Sequence, residues 1–363
     1  MTTLRVLLHV AAQRDYELHS LDFSIAFVQG SLHEEIWLRR PPGFTGSFPP
    51  GTQWSLRRPV YGLRQAPLEW HDTLRTTLAA LGFAPSTADP LLFLRTDTSL
   101  APFYILVYVD DLVFATADTA GRAHVKSELQ RRHTCTDLGE LRSYLGLQIT
   151  RDRAQRTITL TQSHMVQQVL QRFDFTYSSP QATPLSTRHS LSALPSDESV
   201  EPNALLVQYV GLGASAWRAT SSGPHSLGSG SVSWRSTRLS SILGSSCEAE
   251  IYAGAMAAQE LRWLTYLLAD LGEPPRSPPV LYVDNKAMLA LCWEHRLEHR
   301  TKHIALRYFL ARELQQRGQL RLAYVASEAN TADIFTKALP PGDHQRFCTM
   351  PGLVTTWPHL LTS

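Results

Sequence analysis

The sequence predicts a two-part α/β protein, with α+β character in its first part. Three observations lead there. Residues 1–175 alternate helical and strand-like patterns; residues 177–203 (YSSPQATPLSTRHSLSALPSDESVEPN) are rich in Ser, Thr and Pro and poor in aromatics, which is the composition of a linker. Beyond about residue 247 helical and strand patterns alternate again. The expected organisation is a first domain over 1–176, a linker over 177–203, a second domain over 204–345 that is incomplete at its start, and a tail over 346–363.

Each element has a local reason. MTTLRVLLHVAA opens with an apolar stretch too short for a signal peptide and is followed at once by charged QRDYE, so an amphipathic helix is expected. Met1 need not open a complete domain. YELHSLDFSIAF (16–27) is a strand-like run interrupted by Asp22, and PPGFTGSFPPG (41–51) is a Pro/Gly loop. Helical signals cover 67–81 and 119–132, and strands are expected near 144–150 and 156–161. A helix over about 163–173 carries Met165, Val169 and Leu170 at helical spacing. Further on, a long helix runs from about 247 to Gly272, a residue suited to a helix C-terminus. Strand VLYVD (280–284) leads into another helix; a basic helix near 301–316, strand LRLAYV (320–325) and a short final helix complete the pattern.

Composition narrows the function classes. Of 363 residues, 43% are hydrophobic and 18% charged, as in an ordinary globular protein able to bury a core. A formal charge of +2 means that any nucleic-acid site must be a local patch. The four cysteines (Cys135, Cys247, Cys292, Cys348) form no C-x-x-C pair, so neither a zinc cluster nor a disulfide framework is expected, and a reducing compartment fits. No apolar run approaches the ~20 residues that span a bilayer. Asp118-Thr119-Ala120 comes nearest to an aspartic-protease triplet and fails at its third residue.

FYILVYVDDLVFAT (103–116) poses the sharpest question. Ile105, Val107 and Val109 alternate with Leu106, Tyr108 and Asp110, and LVFAT resumes the strand, so a tight hairpin is implied with Asp110-Asp111 at its turn. Favoured two-residue turns use Asn-Gly or Asp-Gly because positive φ is needed. Two adjacent carboxylates break that rule without a packing gain. A solvated tip and a metal-binding pair both remain open on this stretch alone. Asp22, within an apolar strand, needs a partner or a metal. Three carboxylates brought together would make a hard-oxygen site suited to Mg²⁺, and two such ions about 3.5–4 Å apart would serve a phosphoryl displacement.

LDFSIAFVQGSLHEEIWLRRPPGF, RRPVYGLRQAPLEWHDTL and YILVYVDDLVF resemble, in order and approximate spacing, three motifs of copia-type LTR-retrotransposon reverse transcriptases. The resemblance implies a polymerase palm-type domain with a YVDD hairpin, in which Asp22 and Asp110 hold Mg²⁺ (or Mn²⁺) with Asp111 beside them. It implies an RNA-directed DNA polymerase whose partners are an RNA template, a DNA primer and deoxynucleoside triphosphates. Phe27 corresponds to the steric gate against a 2′-hydroxyl, although a core role also explains it. Tyr61, Gly62, Arg64 and Gln65 fall in the nucleotide- and template-contacting motif. Physically, Gly62 permits close backbone approach, Tyr61 offers a stacking face and Arg64 can meet phosphate; a Gly turn leading into a helix near Pro67 is the plain alternative. GELRSYLGLQIT (139–150) resembles the family's primer-gripping hairpin.

In the second part, Ser245 and Glu248 satisfy capping-box spacing, which explains Glu248 without chemistry. Glu250 lies with Gly254, Ala257, Leu261, Leu264 and Leu268 on an apolar stripe, where a carboxylate needs a partner. Asp284 precedes a helix, so N-capping is its plain role, and Asp333 follows Asn330 at another helix start. SSCEAEIYAG, LYVDNKAMLAL, HRTKHIALRYFLARE and ANTADIFTKALP resemble the RNase H domain of the same copia-type polyproteins, over about 245–340. That likeness implies a partial RNase H-like α/β domain with Glu250, Asp284 and Asp333 as metal-binding catalytic residues acting on an RNA–DNA hybrid. His299, Lys302, His303 and Arg307 can form one basic helical face for nucleic acid, or a plain solvated face.

The pattern departs from the family in two places. Only about twenty residues precede Asp22, so most of the fingers segment is expected to be missing. No Asp or Glu occurs between Glu201 and Glu248, where the first RNase H aspartate belongs, and the connecting region after TPLS is short. A site short of one anionic ligand holds Mg²⁺ less well, so weak or absent hybrid cleavage is expected. The expected function is thus a retrotransposon-derived reverse transcriptase with a degenerate RNase H domain; a non-catalytic nucleic-acid-binding relic is the alternative. The family assembles cytoplasmic particles before its DNA reaches the nucleus, and no targeting or membrane segment stands out.

Overall fold

The computed structural model describes residues 1–39, 51–176, 181–184, 231–234, 246–293, 310–335 and 338–349, and the isolated positions 42, 43, 46 and 49. Two compact units divide the chain, Thr3–Val169 and Leu170–Ser363. Most of the predicted linker, most of the 41–51 loop, Ser245 and the segment bearing His299, Lys302, His303 and Arg307 lie outside the described residues.

In the first unit the elements run α1 (Thr2–Arg14), β1 (Glu17–Phe23), β2 (Trp37–Leu38), β3 (Trp54–Ser55), α2 (Ala66–Ala80), β4 (Phe83–Pro85), β5 (Leu92–Arg95), β6 (Phe103–Tyr108) and β7 (Asp111–Thr116). Then follow α3 (Thr119–Arg132), β8 (Cys135–Glu140), β9 (Ser143–Tyr144), β10 (Leu147–Asp152), β11 (Thr157–Thr161) and α4 (Ser163–Arg172). The main sheet is antiparallel throughout, in the order β4-β5-β6-β7-β1-β8. The first strand in sequence is thereby inserted beside the hairpin formed by the sixth and seventh.

One face of that sheet carries Leu21, Phe23, Ile105, Val107, Leu112 and Phe114 against Trp70, Leu74 and Leu78 of α2 and Val125 and Leu129 of α3. Period-2 side chains on the strands thus meet period-3.6 side chains on the helices. Tyr104 and Leu106, on the opposite face of β6, are buried as well, with the ring of Tyr16 6.0 Å from that of Tyr104. The strand becomes exposed only at Tyr108.

Helix α1 forms as expected but is more than amphipathic. Leu4, Val6, Leu7, Leu8, Val10, Ala11 and Ala12 are all buried, so burial runs round the helix instead of along one stripe. A helix apolar on most sides belongs inside a fold. Asp15 ends it in the left-handed region (φ 53°), and Arg151 and Arg153 of the β10 hairpin both reach Asp15 at 2.7 Å.

The strand expected near 144–150 is two strands. Tyr144 pairs with Leu147 across a two-residue turn in which Leu145 (φ 48°) and Gly146 (φ 78°) both have positive φ. This is the twist that matches flanking strands in a tight hairpin. Helix α4 carries its predicted apolar residues, and Met165, Val166, Val169 and Leu170 are exposed.

The second unit contains α5 (Ser246–Asp270), β12 (Val280–Val283), α6 (Lys286–Trp293), α7 (Leu310–Gln316), β13 (Arg321–Tyr324) and α8 (Pro341–Thr349). The stripe expected on α5 is present: Ala257, Leu261, Leu264 and Leu268 are buried, and Gly272 (φ 75°) follows the helix end. Strands β12 and β13 pair in parallel, and Leu281, Val283 and Leu322 join Ile251, Leu261, Met288 and Leu314 in one core. At Gly254 a Cβ would run into the Met288 side chain, so α5 and α6 approach closely there. No described helix is long and apolar enough to cross a membrane.

Candidate active site

Antiparallel register brings the first three carboxylates to one end of the main sheet. Asp22 is the Cα partner of Asp111 across the β1–β7 pair. The Phe23 N–H donates to the Asp110 carbonyl at 2.8 Å, binding the strand after Asp22 to the hairpin tip. All three are partly exposed. The Asp111 carboxyl is held above its ordinary value, first by burial and then by the charges of Asp110 and Asp22.

The turn itself differs from the expected one. Tyr108 pairs with Asp111, so the two central residues are Val109 and Asp110, and Asp111 opens β7. Val109 supplies the positive φ, 57°. For a β-branched residue this is a strained conformation, costing on the order of 1–3 kcal/mol, which persists only where surrounding structure enforces it. Part of the enforcement is visible: the Trp70 indole Nε1–H donates to the Val109 carbonyl at 2.6 Å. Ile25, three residues after Asp22, is likewise left-handed (φ 50°). Gln29 fixes that loop by donating to the carbonyls of Ser24 (2.7 Å) and Thr134 (2.9 Å) and accepting from the Thr134 N–H (2.8 Å).

Two residues singled out from separate motifs meet beside this end of the sheet. Phe27, half-buried in the 3₁₀ turn Ala26–Gln29, lies 4.5 Å ring-to-ring from Tyr61, which is 55% exposed. Tyr61 and Gly62 are the centre of a turn closed by the Leu63 N–H on the Val60 carbonyl at 3.2 Å. Gly62 has φ 100° and nothing within 4 Å of a would-be Cβ, so its conformation, and not close packing within the chain, calls for glycine. Arg64 is exposed and makes no ion pair or hydrogen bond among the described residues, while Gln65 donates to Glu34 at 3.3 Å. Pro67 sits in the first turn of α2, where a missing N–H is harmless.

Tyr144 is a participant that sequence reasoning did not single out. Its hydroxyl is buried without a hydrogen-bond partner in the described structure. Burial, followed by the charges of Asp111, Tyr108 and Asp110, holds its pKa above the ordinary phenol value. Trp70, Gln29 and Ile25 also went unread. Trp70 shares a helical stripe with Leu74 and Leu78 and reads as core; the one available signal is that a buried indole N–H requires an acceptor. The triplet at Asp118 has a structural account: its side chain caps α3 by accepting from the Gly121 N–H at 2.7 Å and pairs with Arg95 at 2.8 Å.

The donor set suits a hard divalent ion in kind: three aspartates with no softer ligand among them. Among the described residues, however, no three His, Cys, Asp or Glu side chains are already gathered as an ion cage.

In the second unit the capping role read for Asp284 falls to its neighbour. The Met288 N–H donates to the Asn285 side chain at 2.9 Å, so Asn285, not Asp284, caps α6. The Ala332 N–H donates to the Asn330 side chain at 3.2 Å, leaving Asp333 buried in the 3₁₀ turn Thr331–Phe335. Asp284 follows β12 and accepts from the Ser327 hydroxyl at 3.3 Å, just beyond β13. Asp284 thus directly follows β12, whereas Asp333 comes after β13 and a further 3₁₀ turn, Ser327–Ala329. Glu250 is half-buried one turn before Gly254, the residue packed on Met288.

An antiparallel sheet backed by helices, with a carboxylate-bearing hairpin at one end, is the architecture of a polymerase palm. Over residues 1–187 the chain matches the family Reverse transcriptase (RNA-dependent DNA polymerase), and it belongs to that family. It is a relative of copia-type Pol polyproteins. It is 29% identical to the Retrovirus-related Pol polyprotein from transposon RE2 of Arabidopsis thaliana over 425 residues, covering 98% of this chain and 29% of the relative. Identity to the corresponding polyprotein from transposon RE1 of the same plant is 27%, with the same coverage. For transposon TNT 1-94 of Nicotiana tabacum it is 26%, covering 94% of this chain and 31% of the relative. The chain spans less than a third of the length of these relatives. The 425-residue match to RE2 is longer than the 363-residue chain, so the relative carries residues inside the matched span that this chain lacks.

Proposed function

We propose that the first unit is the catalytic palm of an RNA-directed DNA polymerase, with Asp22 and Asp110 as the principal holders of Mg²⁺ or Mn²⁺ and Asp111 beside them. The observation that carries this reading is the pairing of Asp22 with Asp111 beside the Phe27–Tyr61 ring contact, since separate sequence motifs supply these residues. Divalent ions held by these carboxylates would supply Lewis-acid stabilisation of the attacking and leaving oxygens in phosphoryl transfer. Phe27 bounds the sugar of a deoxynucleoside triphosphate, Tyr61 supports it, and Arg64 and Gln65 contact nucleotide or template. Tyr144 lines the primer side. The second unit, on this proposal, is a degenerate RNase H-like domain with Glu250, Asp284 and Asp333 as its surviving acidic set, and the 299–307 segment contacts hybrid backbone.

Primer extension on an RNA template with Mg²⁺ or Mn²⁺ tests the polymerase assignment. Asp110→Asn should lose more than the ~10–100-fold typical of outer-shell changes at metal sites. Extension by the wild type that survives Asp110→Asn would overturn the assignment. A second reading, a nucleic-acid-binding relic, is favoured by the carboxylate-free stretch between Glu201 and Glu248; hybrid binding without extension or cleavage would support it.

A further inference from the structure

We propose that Trp70 is a positioning residue for the catalytic hairpin: its indole N–H clamps the Val109 carbonyl and so holds Asp110 where it can work. The inference rests on the polymerase reading of the site. Three observations carry it. Val109, immediately before Asp110, occupies the left-handed region at φ 57°, which a β-branched residue does not adopt unaided. The carbonyl of that residue accepts a 2.6 Å hydrogen bond from Trp70 Nε1, and Trp70 is itself 1% exposed. The indole is in turn fixed edge-on to two rings, Phe23 at 4.9 Å and His133 at 5.6 Å, and His133 Nε2 lies 3.0 Å from the Thr77 hydroxyl of the same helix.

Phe23 makes the clamp a link between both halves of the site. It directly follows Asp22, stacks edge-on against Trp70 and donates its backbone N–H to the Asp110 carbonyl. A single buried side chain thus touches the strand of one carboxylate and the turn of the other. Loss of the N–H alone leaves the ring packing intact and removes one restraint on the turn, which separates positioning from simple support of the core.

The test uses the full chain. Trp70→Phe removes the donor and keeps an aromatic ring; benzothienylalanine incorporated at position 70 keeps the bicyclic shape and removes only the N–H, which guards against a variant that fails to fold. In primer extension either change should lower kcat roughly tenfold, the effect of one hydrogen bond lost at the reacting geometry, with KM for the deoxynucleotide changed less than about twofold. Val109→Gly accepts the left-handed backbone without help. In that background the same loss of N–H should change kcat by less than about twofold. Unchanged kcat, an effect confined to KM, or equal losses in both backgrounds would overturn the proposal.

Thermal unfolding of the same variants decides the question without polymerase activity. Removing the N–H should lower the midpoint distinctly more with Val109 present than in the Val109→Gly background. Additive shifts sink the clamp. A wild type that extends no primer but gives non-additive shifts sinks the polymerase reading and leaves the clamp standing.

Discussion

The two acidic constellations are built in different ways. Asp22 and Asp111 face each other through strand register, and Asp110 is tied to the same sheet by a backbone hydrogen bond, so hydrogen-bonded pairing sets their spacing. Glu250, Asp284 and Asp333 come from a helix, the end of a strand and a 3₁₀ turn, and only packing of those elements relates them. The β1–β7 register is specified by the apolar face those strands bury, and a one-residue slip would carry Asp22 away from Asp111. A site assembled by packing depends on every element around it. On the proposed reading, the stretch without Asp or Glu between Glu201 and Glu248 bears on the second acidic set alone.

The largest expected effect follows from that asymmetry. A single preparation should extend a primer yet cleave the RNA of a hybrid at background level with Mg²⁺, a deficit beyond the ~10–100-fold expected for disturbing a metal site's outer shell alone. Robust cleavage abolished by Asp284→Asn would erase the contrast between the two sites.

A smaller effect concerns the aromatic contact beside the first site. Phe27→Ala should raise ribonucleotide relative to deoxynucleotide incorporation by roughly 10–100-fold, the range available to a shape-based pocket. Parallel losses for both nucleotides would instead mark Phe27 as a core residue supporting Tyr61.

The smallest effect is on stability. Asp111 titrates above its unfolded value, so between the two values the folded state holds the extra proton, and stability falls as pH rises through that window. Without divalent ions, Asp111→Asn should remove this fall and raise the thermal midpoint near neutral pH by roughly 2 °C. A midpoint that drops, or a pH profile that keeps its slope, would mean that Asp111 is stabilised by a partner and not crowded by like charge.

Much of this was legible in the sequence. Alternation gave the strands around Asp110, and helical spacing gave α2, α3 and the stripe on α5. These element readings succeed because periodicity and local propensity act between near neighbours. Tertiary structure decided the rest. Tyr108 pairing with Asp111 moved the turn by one residue, so that Val109 carries the positive φ that the sequence assigned to the aspartates. Asn285, not the adjacent Asp284, caps α6, a choice between neighbours that hydrogen-bond geometry alone makes. Helix α1 is buried on more sides than its apolar stripe requires, because what covers a surface depends on distant segments. The bond from Trp70 to Val109 joins residues 39 apart in the chain. Nothing in a local pattern encodes which carbonyl a buried indole will find; the fold supplies that partner by bringing helix α2 beneath the hairpin.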